Sequence, residues 1–146
     1  MKVVVQRVSS AAVKVENEIV GKIGQGLLLL IGIAENDQPE DIDFVADKCV
    51  NLRIFEDDQD KMNRSLLDVN GDVLCISQFT LLGDTRKGRR PSFIKAARPE
   101  KGETYYEQFV NRLKRYPINV ETGIFGAMMD VELVNYGPVT LIVNSK

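Results

Sequence analysis

Asp72-Val73-Leu74-Cys75-Ile76-Ser77-Gln78-Phe79-Thr80-Leu81-Leu82-Gly83-Asp84 opens after the turn dipeptide Asn70-Gly71 and runs as a mostly apolar, partly β-branched segment. Such a run between turn signals reads as a strand. Its centre carries three uncharged polar residues, Ser77, Gln78 and Thr80, among Ile76, Phe79, Leu81 and Leu82. Polar groups inside an apolar strand are costly unless each finds a partner. Either the partners are structural or the cluster lines a site. A turn at Gly83-Asp84 follows, and then the basic loop Thr85-Arg86-Lys87-Gly88-Arg89-Arg90-Pro91. A polar strand end feeding a basic loop suits an anionic substrate that meets uncharged hydrogen-bonding groups.

Outward from this strand, the N-terminal third reads as β-structure. Met1–Val8 and Ala12–Val15 are expected as two strands parted by Ser9-Ser10. Ile19–Ile23 returns as a hairpin, and Leu27–Ile33 is a continuous apolar strand of the kind buried on both faces. A helix begins after Pro39-Glu40, with Ile42, Val45, Ala46, Cys49, Leu52 and Arg53 at helical spacing and acids in its first turn. Glu56–Lys61 is an acidic loop. Its Asp57, Asp58 and Asp60 lack the glycine and terminal glutamate of a calcium loop and read as a solvated turn. A second helix is expected over Lys101–Tyr116, with Tyr106, Phe109, Val110 and Leu113 as its apolar stripe and Pro117 as its stop. Ala127–Asn135 and Val139–Val143 finish the chain as two strands joined at Asn135–Pro138. The fold class is therefore α+β: antiparallel sheets curled toward a barrel, with two main helices, in one domain over residues 1–146.

Composition, at 44% hydrophobic and 27% charged residues, is that of an ordinary folded protein. No apolar run approaches the roughly 20 residues of a membrane span. The N-terminus becomes polar too soon for a signal peptide, so no membrane partner and a cytoplasmic location are expected. Cys49 and Cys75 sit in apolar surroundings and read as reduced core residues. The chain has no histidine. That removes Ser-His-Asp and Cys-His catalysis as usually built, and with two isolated cysteines it argues against a zinc site, since such sites draw most ligands from Cys and His. No metal and no cofactor are expected. Charge is uneven: Asp84–Lys101 holds seven cations against two acids, +5, in a chain of net −2, leaving −7 elsewhere. A cationic patch on an acidic protein suits a phosphate-bearing ligand, although a merely solvated basic loop has the same composition.

Gly137-Pro138 carries the second constellation. Proline cannot donate to a sheet ladder, and an X-Pro bond is where a cis peptide costs least. A plain turn would use the same dipeptide. Taken together, Ser77-Gln78-Phe79-Thr80-Leu81 and Asn135-Tyr136-Gly137-Pro138-Val139-Thr140 resemble the two signatures of the D-aminoacyl-tRNA deacylase family. The opening Met1–Val8, the Gly26-Leu27-Leu28 strand and Arg89-Pro91-Ser92-Phe93 resemble it as well.

The resemblance implies hydrolysis of the ester between a D-amino acid, or mischarged glycine, and the 3′ end of tRNA. It implies a homodimer with the active site at the subunit interface, into which the partner's Gly-cis-Pro motif reaches. It also favours attack by water aided by the substrate's ribose 2′-hydroxyl. On that reading Ser77, Gln78, Phe79 and Thr80 are catalytic, with the Phe79 and Thr80 amides as an oxyanion hole. Gly137 and Pro138 form a chiral filter that an L side chain cannot enter. Arg7 either locks that motif or is a surface strand arginine. Arg86, Lys87, Arg89 and Arg90 would meet tRNA phosphates. From the residues alone, a non-catalytic RNA-binding module and a small-molecule amidohydrolase remain open.

Overall fold

The computed structural model describes all residues, 1–146. Strand β1 (Lys2–Val15) organises the sheet. Its first half pairs with β3 (Gly26–Gly32) and its second half with β2 (Glu18–Ile23), both antiparallel and along one edge. Ser9-Ser10 does not split this strand, as the sequence suggested. The chain bends there, and the pairing with the last strand slips twice between Gln6 and Ser10. A bulge of this kind bends a strand without ending it.

After β3 come α1 (Pro39–Asn51), the small hairpin β4 (Phe55–Glu56) and β5 (Met62–Arg64), and one helical turn, α2 (Leu66–Val69). The expected acidic loop is the tip of that hairpin. Then follow β6 (Asp72–Ser77), α3 (Pro99–Leu113), the short β7 (Val120–Thr122) and β8 (Asp130–Asn144). The class is α+β with two main helices, but the sheet is mixed. β3–β6 and β6–β7 are parallel pairs, because α1 and α3 carry the chain back to the starting end before each new strand.

The sheet, ordered β2-β1-β3-β6-β7 with β8 on the other edge of β1, curls almost to closure. Where β2 meets β7 across the gap, a Cβ on Gly21 would lie 2.8 Å from the Thr122 carbonyl oxygen. Only glycine lets the two strands come so close.

The curl divides the apolar residues into two cores. Val3, Val5, Leu27, Leu29, Ile31, Val73 and Cys75 face α1 and α3, where Ile42, Val45, Cys49, Phe109 and Leu113 are fully buried. Val8, Ala11, Val13, Leu28, Leu74 and Ile76 fill the inside of the curl. Each large side chain buried this way contributes about 1.5–3 kcal/mol. Both cysteines are free and buried, and burial pushes the Cys49 thiol up to about 12. No helix is long and apolar enough to cross a membrane.

Candidate active site

The stretch Asp72–Asp84 is not strand throughout. β6 ends at Ser77, and Phe79–Leu82 is a 3-10 turn. The Gln78 amide still donates to the Ile31 carbonyl at 2.8 Å. Beyond it Leu81 N–H turns back to Gln78 O and Gly83 N–H to Thr80 O. The polar residues thus sit where the ladder stops, which relieves the cost of burying them. The Phe79 and Thr80 amides open that turn, where N–H groups have no carbonyl one turn earlier, and neither is spent on another element. The Gln78 side-chain amide donates to Thr80 Oγ1 at 2.6 Å.

Beside this turn lies a mostly apolar cleft of about 630 Å³. Ile76–Thr80 form one wall and the Phe125–Met129 strap between β7 and β8 forms the other, with Pro99 closing one end. From α3, Tyr106 donates its hydroxyl to the Cys75 carbonyl at 3.0 Å, fixing β6 from behind, while burial raises its pKa. Phe79 is exposed at the rim and meets Phe93 edge-on, with ring centroids 5.4 Å apart.

Phe93 belongs to the returning limb of the basic loop. Asp84 and Ser92 exchange backbone hydrogen bonds at 2.7 and 2.9 Å, pinching the loop at its neck. Within it Arg86 is already engaged. Its Nε and Nη2 donate to the Asp84 carboxylate at 2.9 and 2.7 Å, which holds that carboxyl well below the usual range. Lys87, Arg89 and Arg90 are exposed and carry no ion pair.

The second motif was expected between two strands. It lies instead inside one, as a short excursion of β8 away from β1. Gln6 pairs with Thr140, and the next paired position is Val8 with Asn135. Asn135 closes the neck: its Oδ1 accepts from Val139 N–H at 3.1 Å and its Nδ2 donates to Thr140 Oγ1 at 2.8 Å. The Gly137-Pro138 peptide is cis, and Gly137 has φ +127°.

Arg7 is no surface residue; it is 3% exposed. Its Nε donates to the Tyr136 carbonyl at 3.0 Å and its Nη1 to the Ile54 carbonyl at 2.9 Å. The guanidinium lies 4.8 Å over the Tyr136 ring, and Glu56 is 3.7 Å from Nη2. The one hydrogen bond that Arg7 donates to the excursion holds the backbone at Tyr136, and the bond to Ile54 anchors the guanidinium from the other side.

Within one chain the two motifs do not meet. The ladder puts Arg7 opposite Leu27 and Leu27 opposite Val73, whereas Ser77 is opposite Ile31. The excursion is thus three strands across from Ser77 and four residues along, roughly 20 Å by ordinary sheet spacings.

A family model described as D-Tyr-tRNA(Tyr) deacylase matches residues 4–144. The chain belongs to that family. It is therefore an enzyme, a deacylase. It is 60% identical to a D-aminoacyl-tRNA deacylase of Anoxybacillus flavithermus over 146 residues, covering 100% of each chain. It is 58% identical to one of Bacillus pumilus, covering 100% of this chain and 99% of that protein. Among solved structures it resembles one titled c-Myc DNA Unwinding Element Binding Protein. The TM-score there is 0.95 at 40% identity, over 100% of this chain and 99% of that one.

The sequence reading missed the strap that walls the cleft and took Ala127–Asn135 as plain strand. Gly123 and Gly126 flanking Ile124-Phe125 were the available signal, since glycines interrupt a strand pattern where the chain turns. It also missed Asn135 as the clasp of the excursion.

Proposed function

We propose that this enzyme hydrolyses the ester of D-aminoacyl-tRNA, and of glycine mischarged on tRNA, and spares L-aminoacyl-tRNA. The observation that carries the reading is the pair of unspent amides, Phe79 and Thr80, at the lip of a cleft in a deacylase that has no histidine.

An aminoacyl ester is already activated, so modest help is enough. As water attacks the carbonyl carbon, negative charge develops on the carbonyl oxygen. A preorganised donor at that oxygen is worth about 3–4 kcal/mol. The Phe79 and Thr80 amides serve as those donors, with Ser77 and Gln78 keeping the turn in shape. The substrate's 2′-hydroxyl, next to the ester, orients the attacking water and relays its proton to the ribose 3′ oxygen as the acyl C–O bond breaks, giving free amino acid and tRNA. Thr80 is not the nucleophile. Its hydroxyl is held by the Gln78 amide, which is no base in either orientation.

Chirality is read by exclusion at Gly137 and Pro138: the backbone there leaves no space for an L side chain, and a D side chain points away. Tolerance of many D side chains follows from a filter that works by clash. Arg7 keeps this backbone in register. Because cleft and excursion are far apart in one chain, the filter acts on the partner's cleft in a homodimer. The concave mouth of the sheet supports this: Ile142, Val4 and Leu30 form one cross-strand row, with Ile142 61% exposed. Lys87, Arg89 and Arg90 take tRNA phosphates, joined by Arg86 through the guanidinium edge that Asp84 leaves free. The location is the cytoplasm, where charged tRNA is used.

Incubation with matched D-, L- and glycyl-tRNA tests the proposal. Release from the D and glycyl esters alone is expected. Binding without release would leave an RNA-binding module, and equal release from the L ester a general esterase.

A further inference from the structure

At the far end of the Phe79–Leu82 turn lies a second depression, of about 230 Å³. Leu81, Leu82 and Gly83 line it, and four charged groups surround it: Lys2, Asp84, Arg86 and Lys95. The three cations come from separate places: the start of β1, the basic loop and that loop's return limb. Asp84 is already held by the Arg86 fork, and that fork fixes the guanidinium in place and leaves Nη1 unused. Neither Lys2 nor Lys95 pairs with any acid. The surroundings thus carry three cations against one carboxylate, +2, around a space large enough for a phosphate group.

We propose that Lys2, Arg86 and Lys95 form a site for one phosphodiester of the RNA strand that leads up to the cleft. This rests on the deacylase reading. The 3-10 turn separates the two places: Phe79 and Thr80 face the cleft, whereas Leu81, Leu82 and Gly83 face the depression. Four residues of such a turn span about 8 Å. A strand whose terminal ribose sits at Phe79 and Thr80 therefore crosses the turn and brings an upstream phosphate among the three cations. Nothing in the depression reads a base, so the contact positions the end of any tRNA without regard to sequence. Lys2 is far from the basic loop in sequence, and only the fold adds it to the electropositive surface.

The test is the double variant Lys2→Gln with Lys95→Gln, assayed on two substrates. With D-aminoacyl-tRNA, KM should rise about tenfold at unchanged kcat, and the salt dependence of binding should weaken by about 0.7 in log–log slope, the value for one single-strand phosphate. With 3′-O-D-aminoacyl-adenosine, which has no phosphate, both enzymes should act alike. Lys2→Arg with Lys95→Arg should restore the wild-type KM. An unchanged KM and slope on tRNA, or an equal loss on both substrates, would overturn the site. So would sub-millimolar inhibition by inorganic phosphate that the double variant abolishes, since the pocket would then serve the free ion. If the wild-type protein cleaves neither ester, the deacylase reading fails. Titration of wild type and double variant with uncharged tRNA still decides the phosphate site, by the same slope difference.

Discussion

Gly137 adopts φ +127°, a region that side chains rarely enter, and a Cβ built there would lie 2.6 Å from Arg7 Nη2 and 3.0 Å from Val139 Cγ2. The guanidinium cannot step aside cheaply, because two backbone carbonyls and the Tyr136 ring hold it. Gly137→Ala should therefore cost roughly 1–3 kcal/mol of stability and lower cleavage of D-aminoacyl-tRNA at least about tenfold, the rate equivalent of 1.36 kcal/mol. A urea midpoint and a single-turnover rate measure the two effects, and wild-type values in both would show that the backbone here is free to move. Thr80 gives the opposite expectation. Its hydroxyl receives a hydrogen bond from an amide and touches no group able to take its proton. Thr80→Ala should stay within about tenfold of wild type. An aminoacyl adduct on the wild-type enzyme, found by intact-mass analysis and lost with the hydroxyl, would restore a nucleophilic threonine. At this scale the sequence was most legible. The missing histidine and the two motifs pointed at residues whose surroundings need a neighbouring strand to be seen, as the burial of Arg7 illustrates.

Between elements, the closest polar tie of α1 to α3 is Asp47, which accepts from Arg112 Nε and Nη2 at 3.0 and 2.8 Å and from the Tyr116 hydroxyl at 2.7 Å. The Arg112 hydrogen bonds, more than Tyr116, depress the Asp47 pKa. Its folded value thus lies below its unfolded one, so the stabilisation is complete above the unfolded carboxyl range, near pH 4, and is lost as pH falls through the folded value. Asp47→Asn should cost about 1 kcal/mol at pH 7, a modest figure because the group is partly exposed. The difference from wild type should be smaller at about pH 3 than at pH 7, as pH falls toward the folded value. Urea titrations at the two pH values read this directly, and a pH-independent gap would assign the loss to packing. Helices and strands with a clear period were legible in the sequence. What was not legible depended on partners. β1 reads as two strands because Ser9-Ser10 is locally a break, yet β8 runs alongside and keeps it whole. β8 reads as two strands for the same reason at Gly137-Pro138. β7, three residues long, has no period to read and exists because β6 offers it a parallel edge.

For the whole molecule, the curl leaves its concave mouth open beside the cleft. Val4, Leu30 and Ile142 face it from three adjacent strands, and Ile76 continues the same row into the inner core. An apolar row that starts in the core and ends in solvent is the surface that the proposed homodimer would cover. The cleft is on one side of this mouth and the Gly137-Pro138 excursion on the other, so a second copy facing it by two-fold rotation would bring each excursion toward the other's cleft. A two-fold contact is isologous, and one substitution therefore acts twice. Ile142→Asp places a carboxylate in each half of the row, and neither is hydrated unless the copies part. The expected outcome is a change from dimer to monomer in analytical ultracentrifugation at micromolar concentration. Because Ile142 is 61% exposed in the isolated chain, the thermal midpoint of the monomer should not report loss of the core. Deacylation should fall together with the dimer fraction and recover as enzyme concentration is raised through the weakened dissociation constant. A variant that stays dimeric would move the interface elsewhere. A monomer that keeps full activity and full D-over-L selectivity would show that one chain builds the entire filter, and would end the shared-site proposal.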